Sequence, residues 1–387
     1  MQQWWTRLTG HSSMVATMRA SYAVGRCKRL VIARRMLIAS CIALLPFIAA
    51  LGSRAEPMPA LSSSSKSVAI PQSDSAIGSF ISPISDRKSS SHNSARASIT
   101  IPPAALARRA KLKAVKSWRY QLRRIDINEI AASDDDLLVI DYAPDRVHGV
   151  EQPFSQQDVA RMQMRPSGKR KLLLAYLSIG EAERYRTYWN NAWYNKPTRP
   201  RWLLDVNPQW DGNYPVRFWD RQWQAIVFGS PEAYLDRILA AGFDGVYLDR
   251  ADVFQDLEKE RADSEAEMAR FIARLAQHAR AKRSDALIVM QNAEELVHLK
   301  DVRDAIDGLA KEDFLYGVKH DEAPNPQDMI QSSRSDLAIA NRHGIKVLVV
   351  EYLAAPALAK RADEHIRALG YLPLIAERSL GTLHFQP

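Results

Sequence analysis

Cysteine is nearly absent from this chain of 387 residues. Its two cysteines, Cys27 and Cys41, both lie within residues 1–55, a stretch that also contains no Asp or Glu. That stretch instead holds eight Arg or Lys residues and an apolar run over residues 36–51. Such a pattern is typical of a secretory signal with a long basic leader, and residues 53–55 offer a cleavage site. The exported protein would have no cysteine, which excludes disulfides and thiolate chemistry.

The apolar run at residues 36–51 is short for a membrane span and contains Pro46. A spanning helix needs about 20 apolar residues, but an uncleaved N-terminal anchor stays open as the alternative. Cys41 resembles a lipid-attachment site only superficially, because the apolar run continues beyond it. We therefore predict a secreted or periplasmic protein, whose only membrane contact would be an uncleaved segment at residues 36–51.

The excess of positive charge is confined to the N-terminal part of the chain. The formal net charge is +9, of which residues 1–55 contribute +8 and residues 56–115 contribute +5, leaving −4 for residues 116–387. A basic isoelectric point that belongs to the leader does not support binding to nucleic acid, and we predict no such partner. A mildly acidic domain is instead suited to a cationic substrate.

Residues 56–115 have few large apolar side chains and are rich in Ser, Pro and Ala. Such a segment buries too little surface to offset its ordering entropy, so we predict a disordered linker. A basic cluster near its end is interpreted as a solvated linker terminus, with contact to an anionic surface as the alternative; it comprises Arg108, Arg109, Lys111 and Lys113. The folded domain is then predicted over residues 116–387.

The predicted domain contains eight short apolar segments that are typical of buried strands. They lie at residues 118–122, 137–142, 171–178, 245–249, 286–292, 306–311, 346–352 and 372–376. Helical patterns lie between several of them, for example at residues 231–241 and 264–282. Alternating strands and helices predict parallel strands, and eight is the number required by a (β/α)8 TIM barrel of the α/β class.

Residues 181–229 interrupt this alternation and carry six of the nine tryptophans. In a barrel this insert would be a long excursion at the active-site end, where indole faces could stack on sugar rings. The alternative is that the indoles pack the insert onto the barrel, and we expect this of at least half of them.

Polar side chains follow several of the predicted strands, at the end where barrel enzymes place their chemistry. The candidates are Asp141, Tyr142, Ser178, Glu181, Asp249, Arg250, Gln291, Asn292, Glu312, Glu351 and Tyr352. Asp249 and Glu312 could form the pair of carboxyl groups that glycoside hydrolysis needs, although a salt bridge or a helix cap would also explain either one. Asp252 is either a helix cap or a substrate contact.

None of the nine histidines shows a metal-ligand spacing such as HExxH. We therefore predict no catalytic metal and no cofactor.

Several segments in combination resemble glycoside hydrolase family 114. They are residues 118–122, 175–183, 185–186, 210–213, 242–252, 291–292 and 350–352, together with Glu312. The resemblance covers nearly all of the predicted domain. It implies a (β/α)8 barrel with the activity of an endo-α-1,4-polygalactosaminidase.

The resemblance also implies that Asp249 and Glu312 are the catalytic pair. Analogy with related barrel glycosidases assigns Asp249 as the nucleophile and Glu312 as the general acid/base. It implies sugar subsites lined by Tyr142, Glu181, Tyr185, Gln291, Asn292 and Tyr352. The expected partner is a galactosamine-rich exopolysaccharide, and the protein is expected to be a monomer. Two alternatives stay open, namely a non-catalytic carbohydrate-binding barrel and a hydrolase of the same fold that acts on another α-glycan.

Overall fold

The computed structural model of the protein describes residues 101–144 and 151–387. Eight parallel strands form the central sheet, and two further short strands form a separate antiparallel pair. In chain order they are β1 (Trp118–Gln121), β2 (Leu137–Ile140), β3 (Leu172–Ser178), β4 (Glu181–Glu183), β5 (Asn213–Pro215), β6 (Gly245–Asp249), β7 (Leu287–Gln291), β8 (Gly308–Glu312), β9 (Lys346–Glu351) and β10 (Leu372–Ile375). Seven strands of the large sheet lie within predicted segments. The eighth, β8, extends one residue beyond the segment predicted at residues 306–311.

Helices alternate with these strands. They are α1 (Pro103–Lys113), α2 (Ile127–Ala132), α3 (Gln156–Met162), α4 (Arg221–Val227), α5 (Tyr234–Ala241), α6 (Val253–Asp256), α7 (Ser264–Lys282), α8 (Lys300–Ala305), α9 (Gln327–Arg342) and α10 (Pro356–Ala368). Three 3-10 turns occur at Asn191–Tyr194, Lys196–Thr198 and Glu294–His298. The long helix predicted at residues 264–282 is confirmed, and the one predicted at residues 231–241 begins later, at Tyr234.

The large sheet has the strand order β1-β2-β3-β6-β7-β8-β9-β10, and neighbouring strands pair in parallel. A buried cluster contains side chains from all eight strands, which places them around one interior. The backbone N–H groups of Leu122 and Arg123 both donate to the Leu380 carbonyl, so the end of β1 contacts the segment that follows β10. The predicted (β/α)8 barrel is confirmed.

Side chains alternate between the interior of the barrel and the helix layer. Tyr247 of β6 and Ala310 of β8 belong to the interior cluster, whereas Val246 and Leu248 belong to the outer cluster beneath the helices. Both faces of these strands are apolar because a parallel barrel is covered on both sides. A polar side chain that continues the interior series therefore emerges at the mouth of the barrel.

Helix α1 shows that the ordered domain begins earlier than residue 116. The prediction of a disordered linker up to residue 115 is wrong at its C-terminal end, because residues 103–113 are helical and Leu112 is buried in the interior cluster. Arg108 and Arg109 are buried as well, so they are not a solvated linker end. Arg108 Nε donates to Asp307 Oδ1 at 3.0 Å, and an Arg109 nitrogen donates to the His343 carbonyl at 2.7 Å.

Leu112 closes the amino-terminal end of the barrel, so its truncation should be costly. We expect Leu112→Ala to lower the free energy of unfolding by about 2–5 kcal/mol, because it leaves a cavity among packed side chains. Leu106, on the same helix, is 50% exposed and provides the matched control, Leu106→Ala. Chemical denaturation of the two variants measures the difference. Equal stabilities would mean that α1 does not close the barrel.

The insert at residues 181–229 packs onto the barrel mainly through its tryptophans. Trp202 and Trp223 are fully buried, and Trp189, Trp193 and Trp219 pack against the same cluster while remaining partly exposed. Five of the six indoles therefore serve packing, which confirms the expectation for at least half of them. The sixth, Trp210, is exposed.

No helix within the described ranges is both long and apolar enough to cross a membrane. The predicted signal segment or anchor at residues 1–55 and most of the predicted linker lie outside the described residues.

Candidate active site

A cavity of about 1130 Å³ opens at the carboxyl ends of the barrel strands. Asp249, at the end of β6, and Glu312, at the end of β8, both line it. Each continues the interior series of its strand, two residues beyond Tyr247 and Ala310 respectively. Strand alternation therefore brings these two carboxyl groups, here called the acidic pair, to the same mouth.

One amide group lies between the two members of the acidic pair. Gln291, at the end of the intervening strand β7, places its Nε2 3.0 Å from Asp249 Oδ1 and 2.5 Å from Glu312 Oε2. These two carboxyl oxygens therefore lie at most about 5.5 Å apart, the sum of the two distances. This limit on one pair of oxygens favours the carboxyl separation of roughly 5–5.5 Å found in retaining glycosidases over the roughly 6.5–9.5 Å of inverting ones.

Other donors hold the acidic pair in place. The Tyr176 hydroxyl donates to Asp249 Oδ2 at 2.7 Å, and the Tyr352 hydroxyl donates to Glu312 Oε1. Asn292 Nδ2 donates to Glu312 Oε2 at 3.2 Å, while Asn292 Oδ1 accepts from the Glu312 backbone N–H at 3.1 Å. Each carboxyl group is thus fixed by hydrogen bonds from neighbouring strand ends.

The environment of the acidic pair favours the protonated forms. Burial, together with the neighbouring Glu312 carboxylate, raises the pKa of Asp249 to about 7. Burial also raises the pKa of Glu312, an effect that the hydrogen bond from Tyr352 opposes and the charge of Asp313 increases. Two carboxyl groups this close release their protons in steps that belong to the pair. Near neutral pH the pair can hold one proton, which is the state that acid catalysis with a carboxylate nucleophile requires.

The backbone changes conformation directly after β6, β7 and β8, the three strands that carry the acidic pair and Gln291. Arg250, Asn292 and Asp313 follow these strand ends directly and have φ values of 60°, 56° and 49°. This left-handed conformation is uncommon for residues other than glycine and is often found at functional sites. Asp313 is held there by Arg378, whose two terminal nitrogens lie 3.1 and 3.0 Å from its carboxylate oxygens.

A buried arginine organises one wall of the cavity. Arg186 pairs with Asp141 at 2.7 Å, with Glu151 at 3.1 Å and with Glu183 at 2.7 Å. The Tyr185 hydroxyl donates to Glu183, and Tyr185, Arg186, Asp141 and Glu151 all line the cavity. Three carboxyl groups therefore surround one guanidinium, and burial raises the pKa of one of them, Glu183.

Glu181 is another buried carboxylate, and it connects the insert to the end of β6. Glu181 accepts from Asn207 Nδ2 at 2.8 Å and from Asn213 Nδ2 at 3.2 Å, and it pairs with Arg250 at 3.1 Å. The turn between β3 and β4 passes so close to Arg250 that a Cβ at Gly180 would lie 2.1 Å from the Arg250 carbonyl oxygen. Only glycine fits at that point, so the insert is held directly against the residue that follows Asp249.

The structure brings most of the predicted site residues to the cavity. Besides the acidic pair, the lining includes Asp141, Glu181, Tyr185, Arg250, Gln291, Asn292 and Tyr352. Asp252 lines it too; it occupies the N-cap position of α6 but makes no side-chain cap bond, and it lies 3.6 Å from Arg250.

Three predicted substrate contacts lie away from the cavity wall: Tyr142, Ser178 and Glu351. Tyr142 and Glu351 continue the outward series of β2 and β9, so Tyr142 packs edge-on against Tyr234 and Glu351 is fully buried. Glu351 accepts from the backbone N–H groups of Leu315 and Tyr316, and burial raises its pKa to about 8. Ser178 is buried and accepts from the Glu181 backbone N–H. These three side chains are not among the residues that line the cavity.

Sequence reasoning did not name Tyr176, Glu151 or Arg186 as site residues, although they line the cavity. It included Trp210, which also lines the cavity, only among the insert tryptophans that could stack on sugar rings. Tyr176 could have been found, because it precedes Ser178 by two residues in the interior series of β3. Glu151 lies in a connection between β2 and α3, where no periodicity marks it.

Within residues 101–144 and 151–387, no three His, Cys, Asp or Glu side chains are grouped so that they could hold a metal ion.

Comparison with known proteins finds relatives in sequence and in fold. A protein of Deinococcus radiodurans without assigned activity is 35% identical over 290 residues, covering 74% of this chain and 88% of its own. One from Methanocaldococcus jannaschii is 36% identical and covers 67% and 75% respectively. The glycoside hydrolase domain of PelA from Pseudomonas aeruginosa superimposes with a TM-score of 0.54 over 70% of this chain and 98% of that domain. At 19% identity, that likeness shows the fold alone.

The barrel, its cavity and the acidic pair across one amide are the features of a (β/α)8-barrel glycoside hydrolase. Residues 100–386 match the sequence profile of glycoside hydrolase family GH114. The chain belongs to this family, and the resemblance noted in the sequence is confirmed.

Proposed function

We propose that this protein is an endo-acting glycoside hydrolase that cleaves an α-1,4-linked, galactosamine-rich exopolysaccharide. The acidic pair carries the proposal, because two buried carboxyl groups on either side of the Gln291 amide form the arrangement that glycosidic cleavage needs. Asp249 is assigned as the nucleophile and Glu312 as the general acid/base. The leader predicted at residues 1–55 favours a site of action outside the cytoplasm.

The charge of the cavity supports a cationic substrate. Ten Asp or Glu residues line it, against six Arg or Lys residues. An amino sugar that is not acetylated carries an ammonium group, which acidic walls attract at short range. The wall built around Arg186 has an excess of carboxylates even after its internal ion pairs are formed.

The size of the cavity supports a polymeric substrate. Sites for small molecules usually enclose roughly 300–1000 Å³, and this one encloses about 1130 Å³. It therefore has room for several sugar rings. This accords with cleavage inside a chain rather than removal of terminal units.

The proposed reaction has two steps. Protonated Glu312 gives its proton to the leaving glycosidic oxygen while ionised Asp249 attacks the anomeric carbon, which breaks the sugar–oxygen bond and forms a glycosyl ester on Asp249. Glu312, now ionised, then takes a proton from water, and that water breaks the ester and restores Asp249. The donors from Tyr176 and Gln291 stabilise the Asp249 carboxylate before the attack and after the ester is released.

The short separation of the acidic pair predicts retention at the anomeric carbon. The first product of an α-linked polymer is then expected as the α-anomer, because two displacements at one carbon restore its configuration. Proton NMR of the anomeric signals during the first minutes of digestion, before mutarotation, measures this. A β-anomer as first product would contradict the two-step mechanism.

The proposed function is tested with purified α-1,4-polygalactosamine. New reducing ends together with a ladder of intermediate oligosaccharides are expected. Binding without new ends would favour a non-catalytic carbohydrate-binding barrel. Cleavage of another α-glycan, with polygalactosamine left intact, would support the proposed glycosidase activity but contradict the proposed substrate.

A further inference from the structure

Trp210 differs from the other tryptophans of the insert. The other five contact further aromatic rings, for example Trp193 with Trp202 at 5.1 Å between ring centroids. Among the described residues, no aromatic ring is stacked on Trp210, which is 47% exposed and lines the cavity. A large indole face therefore lies open beside the space that holds the acidic pair.

The turn that carries Trp210 is held in place at both ends. Glu181 is buried and accepts from the side-chain amides of Asn207 and Asn213, which flank the turn. Within it, the Trp210 backbone N–H donates to the Asn207 carbonyl at 3.2 Å, and the Asn213 N–H donates to the Trp210 carbonyl at 3.0 Å. The indole is therefore presented from a fixed backbone, so a ligand that stacks on it meets a small ordering cost.

Further contacts restrict the turn. Gly212 has a φ of 94°, and a Cβ there would lie 2.9 Å from Arg184 Nε. Arg184 in turn pairs with Asp211 at 2.8 Å. Because Glu181 also pairs with Arg250, which follows Asp249 in the chain, the same carboxylate positions this turn and contacts the end of β6.

We propose that Trp210 is a stacking platform for a sugar ring of the substrate, at a subsite away from the bond that is cleaved. This inference rests on the proposed function and specifies one of its binding subsites. A galactosamine ring has an axial hydroxyl at C4, so the hydrogens on C3, C4 and C5 form an apolar patch on one face. That patch matches an exposed indole, and a nearby ammonium group adds a cation–π attraction.

The test compares three variants on long polygalactosamine. Trp210→Ala is expected to raise KM about tenfold while kcat changes less than twofold, since a subsite remote from the cleaved bond contributes to binding. Trp210→Phe, which keeps an aromatic face, should recover most of the affinity. The matched control is Tyr194→Ala, because Tyr194 is a 50% exposed aromatic residue of the same insert that does not line the cavity.

A binding measurement separates this inference from the reaction. Titration with a polygalactosamine oligosaccharide measures affinity in a Glu312→Gln background, where the bound sugar is not cleaved. Adding Trp210→Ala should weaken this affinity about tenfold, and adding Tyr194→Ala should leave it unchanged. Unchanged KM and unchanged binding in the Trp210→Ala variants would overturn the subsite. If the wild-type protein releases no reducing ends, the proposed reaction fails, while the titration still decides whether Trp210 binds sugar.

Discussion

Replacing Asp249 with asparagine is expected to lower kcat on polygalactosamine by about 10³-fold or more, and replacing Glu312 with glutamine by a similar factor. Asparagine cannot form the glycosyl ester, and glutamine cannot donate a proton to the leaving oxygen. Both variants should fold, because burial already disfavours the charged forms of these side chains, as their raised pKa values indicate. Reducing-end assays give the rates, and thermal unfolding confirms the fold.

Glu351→Gln provides the control for these two variants. Glu351 is also a buried carboxyl group at a strand end with a raised pKa, but it faces the helix layer and does not line the cavity. Its glutamine variant should keep most of the activity. Near-normal turnover in Asp249→Asn or Glu312→Gln would remove that residue from the mechanism.

Azide distinguishes the two proposed roles. If Asp249 is the nucleophile, azide can attack the substrate directly in Asp249→Ala and yields a glycosyl azide of inverted configuration. If Glu312 is the acid/base, Glu312→Ala still forms the ester from a substrate whose leaving group needs no proton, such as a dinitrophenyl glycoside, and azide then yields the retained configuration. The opposite pattern would exchange the two assignments.

Arg186→Met should lower the free energy of unfolding by about 3–5 kcal/mol, and it should do so more strongly than any surface variant. The substitution leaves Asp141, Glu151 and Glu183 buried together without their shared cation. Removing one partner of a buried ionic group costs far more than the net value of the group, because the remaining charges are left desolvated. Urea denaturation at neutral pH measures the loss.

Arg184→Met is the matched control for this effect. Arg184 is two residues away, but its pair with Asp211 is exposed to solvent, at 38% and 77% of the respective side chains. Such pairs contribute about 0–1 kcal/mol, so the control should be nearly as stable as the wild type. Equal losses in the two variants would mean that the carboxylates around Arg186 are stabilised in some other way.

The strands were predictable because each is a short apolar segment bounded by polar residues. The acidic pair was predictable for the same reason, since Asp249 and Glu312 end two such segments. Strand alternation, applied residue by residue, would also have placed Tyr142 and Glu351 outside the barrel and Tyr176 inside it. The alternation of side chains along each strand therefore predicts which residues face the site better than their position at a strand end does.

Other features had no comparable signal in the sequence. Helix α1 is rich in alanine and basic residues, and its few contacts with the barrel depend on partners about 200 residues away, such as Asp307. Glu151 reaches Arg186 from a connecting segment, and the acidic wall depends on this long-range contact. Composition and periodicity report local preference, so interactions of this kind become visible only when the chain is folded.

Helix α1 determines where the described part of the chain enters the barrel. Ile101, just before the helix, lies beside Gly344 in the turn that leads into β9, at the amino-terminal floor of the barrel. The polypeptide thus joins the catalytic unit at the pole opposite its open mouth. The entrance to the cavity therefore faces away from the point where the described part of the chain begins.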